Sequence, residues 1–271
     1  MHEKPICITH PEAKDIPTLE KIWMDAFGDP RELIVAFFDR YPPTINGWIV
    51  RRGAEILSTA YLILDNVLLE DDHPVSAGYV YAVATPQEYR GKGYGAALMR
   101  HFTGLADAQG LLLYTRPANS RLFHWYAETM QTVPASPMKQ ELITVRDVIA
   151  PPSVHRLSPA VYGSAREILL SKQPHIVLSE SFLSLQEVYL VEESGGYYGC
   201  GDSVCACEMH GDTLVVKEVL THREDKPVLQ ALLSHFHLSK AMYFVPAEDG
   251  AAHVAFRGSA PASTSWGLLL D

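Results

Sequence analysis

The chain has 271 residues, 47% hydrophobic and 20% charged, the composition of an ordinary globular protein with length enough for two cores. Its formal net charge of -10 argues against a nucleic-acid backbone as main partner, because that role needs clustered Lys and Arg. The opening "MHEKPICITHPEAKDIP" is broken by charges and prolines, and no apolar run approaches the roughly 20 residues of a spanning helix, so a cytoplasmic, membrane-free location is expected.

In chain order, "PEAKDIPTLEKIWMDAFGDPRELIVAFFDRYPP" places Ile22, Ala26 and Phe27, then Leu33, Phe37 and Phe38, at helical spacing. The pattern predicts two helices, broken at Gly28-Asp29-Pro30 and closed by Pro42-Pro43. "GWIVRRGAEILSTAYLILDN" reads as a hairpin around Arg52-Gly53-Ala54, and "HPVSAGYVYAVAT" as a further strand that feeds the glycine-rich stretch "YRGKGYGAAL". Beyond it lies an amphipathic helix with Leu98, Phe102 and Leu105 on one stripe and Gly110 as terminator. The strand "LLLYT" and the helix "NSRLFHWYAETM", with Asn119 as N-cap, complete an α/β layered domain over residues 1–150.

"IAPPSVHRLSP" reads as a linker, after which residues 151–271 repeat the first half in outline. Helices are expected in "SPAVYGSAREILLSK" and "SESFLSLQ". "EVYLVEESGGYYGCGDSVCACE" is expected to form a hairpin around Ser194-Gly195-Gly196, followed by strand, loop, helix and strand. Four cysteines fit a reducing compartment. Cys200, Cys205 and Cys207 are spaced C-x4-C-x-C, unlike the paired knuckles of zinc sites, and no metal is assigned.

A strand, a glycine turn and a helix start form an anion-binding arrangement, since the first helical amides lack internal partners and the dipole is positive there. The same glycines also serve a tight turn. A P-loop needs Ser or Thr after Gly-Lys, which is absent. Gly91-x-Gly93-x-x-Ala96 fits a dinucleotide fingerprint, but the next strand ends Tyr114-Thr115-Arg116 without the acid that fingerprint wants. In the second copy the corresponding loop is Arg223-Glu224-Asp225-Lys226-Pro227, where two carboxylates and a proline replace glycine amides and repel phosphate.

"VATPQEYRGKGYGAALM" resembles the acetyl-CoA signature of the GNAT superfamily of N-acetyltransferases, [Q/R]-x-x-G-x-[G/A], with Arg90, Gly93 and Gly95 at its fixed positions. The resemblance extends over roughly residues 6–148 and implies a GNAT fold: a mixed, mostly antiparallel sheet flanked by helices, here duplicated with a degenerate second half. It implies that the amides of Gly91, Lys92, Gly93, Tyr94, Gly95 and Ala96 ring a pyrophosphate, with charge from Arg90 and Lys92. Backbone groups of Val83, Ala84 and Thr85, and Asn119, would meet the pantetheine arm. In "NSRLFHWY", Tyr126 stands seven residues after Asn119, where the family places the tyrosine that protonates the leaving thiolate.

What the resemblance implies is acetyl-CoA-dependent transfer to a primary amine of a small molecule or peptide by a monomer or homodimer. The family's glutamate on the strand before the loop is absent from Gly78-Tyr79-Val80-Tyr81-Ala82. Tyr79 and Tyr81, two apart on one strand face, are candidates to line the acceptor site, and His73, His124 and Asp65 are the available bases. Without that glutamate, an acyl-CoA-binding sensor or scaffold is the competing expectation. The second half is expected to wall the acceptor cleft or to form a subunit contact.

Overall fold

The computed structural model describes residues 5–71, 73–144 and 152–270. In chain order the first half runs β1 (Ile6–Thr9), α1 (Ile16–Phe27), α2 (Arg31–Arg40), α3 (Pro43–Asn46), β2 (Gly47–Arg52), β3 (Glu55–Glu70) and β4 (His73–Ala84). It continues through α4 (Tyr94–Gln109), β5 (Leu112–Thr115), α5 (Ser120–Met130) and β6 (Val133–Thr144). The second half runs β7 (Val154–Leu157), α6 (Pro159–Leu170), β8 (His175–Val177), α7 (Glu180–Glu192), β9 (Gly196–Cys200), β10 (Ser203–His210), β11 (Thr213–Leu220), α8 (Asp225–Phe236), β12 (Lys240–Pro246) and β13 (Ala251–Arg257).

Two compact units form, and they are interleaved in sequence. The first takes residues up to Leu68, then Pro74–Ala135 and Val254–Ala260; the second takes Leu69–His73, Ser136–His253 and Pro261 onward. This differs from a single cut near residue 150. Residues 254–260 close the sheet of the first unit, and residues 136–144 belong to the second. The reason is edge pairing: β5 pairs antiparallel with β13 (Thr115 with Ala255, Leu113 with Arg257), and β12 pairs antiparallel with β6 (Lys240 with Thr144, Pro246 with Met138). Each half donates the strand that covers an edge in the other's unit, where an open edge would leave a row of unpaired amides and carbonyls.

In the first unit the strand order is β1-β2-β3-β4-β5-β13, mixed, with β4 and β5 the parallel pair. Helices α4 and α5 cover one face, where Leu98, Met99, Phe102, Tyr126 and Met130 pack on Val50, Leu57, Leu62, Val80 and Leu113. Each such side chain taken fully from water contributes about 1.5–3 kcal/mol. Helices α1 and α2 cover the other face through aromatics: Trp23 and Phe37 meet Tyr61 and Tyr81 at ring-centroid distances of 5.2–5.6 Å. Helix α1 stops where expected, at Gly28 with φ of 79°, a left-handed cap that only glycine takes without cost.

The second unit repeats the plan with order β6-β12-β11-β10-β9-β7. Helix α8 packs its Val228, Leu229, Leu232 and Leu233 on Cys205, Cys207, Leu214 and Val216. Cys205 and Cys207 are thus small apolar strand residues in a core, and among the described residues no group of three or more His, Cys, Asp or Glu is placed to hold a metal.

Several segments depart from the sequence reading, β8 and β13 among them, for which no strand was expected. Part of the expected linker, Val154–Leu157, is β7, paired with β9 (Val154 with Cys200, Leu157 with Tyr197); residues 145–151 lie outside the described residues. "EVYLVEE" is not a strand: helix α7 continues to Glu192, because Phe182, Leu183, Gln186, Tyr189 and Leu190 keep a helical stripe buried. The hairpin of β9 and β10 therefore turns at Gly201, φ of 63°, rather than at Ser194-Gly195-Gly196. Strand β6 had no expectation at all, since Pro134 and Pro137 disguise it.

Candidate functional site

Strand β4 is the axis of the site. Val80 and Val83 both pack toward α4 and α5 although they are three residues apart, so strict alternation fails between them. The break sits at Ala82, a non-glycine residue with φ of 46°, the signature of a bulge held in place by its surroundings. The parallel ladder with β5 ends just before it, at Tyr79 paired with Tyr114. Residues 82–84 of β4 therefore lie beyond the last β5 pair, where the two strands part.

Two hydroxyls fix the geometry of this opening. The Thr115 hydroxyl donates to the Val80 carbonyl at 2.8 Å, capping the first rung that the ladder leaves unmade. The buried Ser58 hydroxyl donates to the Ala84 carbonyl at 2.9 Å and accepts from the Thr85 hydroxyl at 2.9 Å, tying the end of β4 to β3.

The chain then turns through residues 85–93 into α4. Gly91 and Gly93 have φ of 74° and 83°, and a Cβ at either would meet no atom within 4 Å, so these glycines serve backbone conformation in an open cradle. The first main-chain bond into the helix is from Ala97 to the Gly93 carbonyl at 3.0 Å, and among the described residues the amides of residues 93–96 have no main-chain acceptor. No acidic residue stands in the first turn of α4. Unpaired donors, a positive dipole end and open space make this start of α4 fit the diphosphate of coenzyme A. Arg90 Nε donates to the Thr85 carbonyl at 3.0 Å and Lys92 Nζ to the Glu88 carbonyl at 2.9 Å, so both exposed cations are held against the loop itself.

Asn119 caps α5: its side-chain oxygen accepts from the Leu122 amide at 3.1 Å, which leaves the side-chain NH2 free to donate. Tyr126 lies two turns on, 7% exposed, in the same core as Val80. Burial pushes its phenol up to about 12, with the neighbouring Thr115 hydroxyl pulling the other way. It therefore carries its proton throughout the physiological range.

The acceptor-side expectations are sorted by burial. Tyr79 and Tyr81 do share a face, stacked at 5.6 Å, but Tyr79 is 1% exposed beneath Tyr81 and Tyr114. Of the two, only half-buried Tyr81 reaches outward. His124 is exposed on α5 with Nδ1 on the Ser120 carbonyl at 2.8 Å, and Asp65 accepts from the Tyr41 hydroxyl at 2.9 Å. His73 is exposed at the start of β4, the far end of the strand from the bulge. Sequence reading missed Ser58, Thr115 and Trp125, whose ring lies 3.4 Å from where a Gly95 Cβ would be and 4.8 Å from the Tyr126 ring. A lone polar residue ending the apolar run "LLLYT" is the signal that Thr115 offered.

Residues 8–121 match the family model for the acetyltransferase (GNAT) domain. The chain carries a GNAT domain. Its match covers the strands, the glycine loop and the start of α5 described above. A search of curated proteins finds no match. Among solved structures, a GCN5-related N-acetyltransferase from Kribbella flavida is similar at 16% identity and a TM-score of 0.71, over 93% of this chain and 72% of that one. Another from Anabaena variabilis is similar at 14% identity and 0.69, over 93% and 72%. A tandem GNAT protein from the clavulanic acid biosynthesis pathway is similar at 15% identity and 0.55, over 95% and 99%. At these identities the likeness is one of fold, and the GNAT fold it shows extends over both halves.

The second unit keeps the GNAT layout but not the cradle. Its parallel ladder of β11 and β12 also stops early, at Val216 paired with Tyr243, and an irregularity follows beside Glu218. There, however, Glu218 is bound by Arg166 Nε at 3.1 Å and by the Tyr162 hydroxyl, a buried ion pair that fills the face toward α6. Helix α8 begins with Glu224 as N-cap and Asp225 in its first turn, carboxylates where α4 has glycine amides.

Proposed function

We propose that the protein is an acetyl-CoA-dependent N-acyltransferase that moves an acetyl group directly to a primary amine of a small molecule or peptide, using the site of the first unit. The observation that carries this reading is the pairing of two features on the opened β4–β5 edge. One is a helix start with free amides in an open glycine cradle; the other is a buried phenol that stays protonated.

In this reading the amides of residues 91–96 hold the diphosphate, and main-chain groups of residues 83–85, beyond the end of the β5 ladder, pair with the pantetheine arm as an added strand would. The free NH2 of Asn119 donates to the same arm. A main-chain amide near Val83, turned by the bulge at Ala82, stabilises the negative charge that develops on the acetyl oxygen. Tyr126 gives its proton to the departing sulfur. The amine must arrive neutral, which for a lysine-like group of pKa near 10.4 at pH 7 costs about 4.6 kcal/mol. No carboxylate stands on β4 to take that proton, so weakly basic amines, or a proton path to water, are favoured.

The test is thiol release from acetyl-CoA across a panel of primary amines. Amine-dependent CoA release, with the acetylated amine identified by mass spectrometry, supports the enzyme. Tyr126→Phe is expected to lower kcat by about 10²–10⁴-fold while leaving acetyl-CoA affinity within a few-fold; undiminished turnover removes Tyr126 from the mechanism. The carboxylate-free β4 favours a second reading, an acyl-CoA-binding sensor. Saturable CoA binding with no amine turned over would select it.

A further inference from the structure

Tyr126 and the packed side chains of α4 and α5 occupy one face of the sheet at the opening, which leaves the α1 and α2 face for the approach of the amine. Tyr81, half-buried, is the last residue of β4 before the bulge at Ala82 and turns its ring to that second face. The ring meets Trp23 at 5.6 Å and Phe37 at 5.3 Å, and Trp23 in turn meets Phe27 edge-on at 5.9 Å. Trp23 and Phe37 are sealed in the core, but Phe27 is 46% exposed and Met24 39%. These two stand three residues apart, on one side of the last turn of α1. The turn beyond is held in place, because Trp23 Nε1 donates to an Asp29 carboxylate oxygen at 2.7 Å. A line of rings therefore starts beside the bulge and ends in water, with two large apolar side chains bare at its outer end.

Single apolar residues on a surface are ordinary, but here two of them continue the wall of the opening. We propose that this line of rings seats the acceptor, and that the acceptor is an aromatic primary amine. Its nitrogen lies at the bulge and its flat apolar body runs along Tyr81 toward Phe27 and Met24. Two features converge on that class. Ring contacts of 5.3–5.9 Å make a surface that favours another ring over an aliphatic group of the same size. Strand β4 also carries no carboxylate, and a nitrogen on or next to an aromatic ring is less basic than that of lysine, so it arrives neutral more readily. The inference rests on the proposed acetyl transfer at this site. In that step the C–N bond forms as the C–S bond breaks, and the sulfur takes the proton of Tyr126. The acylated nitrogen loses its surplus proton to water, and water returns one to Tyr126.

The probes are naphthylmethylamine and its fully saturated counterpart, which share a skeleton and a primary amine and differ in ring character. The first readout, calorimetric binding to the full chain loaded with CoA, needs no turnover. The aromatic amine is expected to bind about tenfold more tightly than the saturated one. Phe27→Leu, which stays apolar on an exposed helix end, is expected to lower that ratio to about two and to leave the saturated amine unaffected. Equal affinity of the two amines, or a ratio that Phe27→Leu leaves intact, overturns the seat. The second readout is turnover with acetyl-CoA. The aromatic amine is expected to exceed the saturated one about tenfold in kcat/KM, and Phe27→Leu to raise its KM with kcat and the KM for acetyl-CoA unchanged. Faster turnover of a lysine-containing peptide than of either probe overturns the assignment of class. Ring-selective binding with no amine turned over leaves the seat standing and overturns the acetyl-transfer reading instead.

Discussion

Gly93 and Gly95 occupy neighbouring fixed positions of one signature, yet their physical reasons differ. Gly93 adopts φ of 83° at the helix N-cap with nothing near its missing side chain. A Cβ there costs about 1–2 kcal/mol in backbone strain alone. Gly95 has ordinary helical conformation, and its Cβ would lie 3.4 Å from the Thr85 hydroxyl and the Trp125 ring, tight but tolerable. Gly93→Ala is therefore expected to weaken coenzyme A binding by about tenfold, read by calorimetry, and Gly95→Ala to bind almost as well as the parent. Equal losses at both positions would show that space, rather than backbone conformation, limits the loop. The signature was legible because a positive φ at a turn favours glycine over any residue with a side chain. Thr115 and Ser58 were not, because what matters in them is the carbonyl each hydroxyl finds, and those partners lie 35 and 26 residues away.

At the scale of elements, helix α4 meets β2 through the Trp48 ring, which contacts His10 and His101 in tilted geometry at centroid distances of 3.9 and 4.3 Å. The His101 Nε2 is buried without a partner, while His10 Nδ1 meets the Gly47 carbonyl at 2.8 Å. Burial, and secondly His10, lower the pKa of His101. The unfolded chain thus takes up this proton first. The contribution of neutral His101 to stability is complete above about pH 6.5 and is lost as pH falls below it. Melting temperature followed from about pH 7.5 to 5 should decline, and His101→Phe, which keeps a ring against Trp48 and removes the titration, should flatten that decline. An unchanged slope would place the acid sensitivity elsewhere. Most elements were readable because their apolar period was unambiguous: α1, α2, β4, α4 and α5 all fall where the spacing puts them. The failures share a cause. In "EVYLVEE" β-branched residues suggest a strand, but burial of one helical stripe outweighs that preference, and in β6 and β7 prolines and short length hide pairing that only a distant partner supplies.

For the whole molecule, the two units cannot be separated by cutting the chain once. Residues 1–150 alone would leave Leu113, Tyr114 and Thr115 of β5 without Arg257, Phe256 and Ala255 beside them, and this edge adjoins the opening that the site requires. They would also lose the ion pair of Arg257 with Asp107 at 2.6 Å. Expressed alone, residues 1–150 are expected to aggregate or to melt without a cooperative transition. Co-expression with residues 151–271 as a separate chain should recover soluble material that binds coenzyme A. A monomeric, fully active fragment would show that the exchanged strand is dispensable. Neither the exchange nor its partners could be read from sequence, because strand pairing across such separations leaves no local pattern.

The exchange also sets an order in time. The strand that closes the first unit is synthesised about 140 residues after the one it covers. At roughly 5–20 residues per second, β5 waits on the order of ten seconds on the ribosome with one edge bare. During that interval the nascent chain presents a short, apolar strand with one open edge, the kind of surface that a neighbouring nascent chain or a chaperone would engage first.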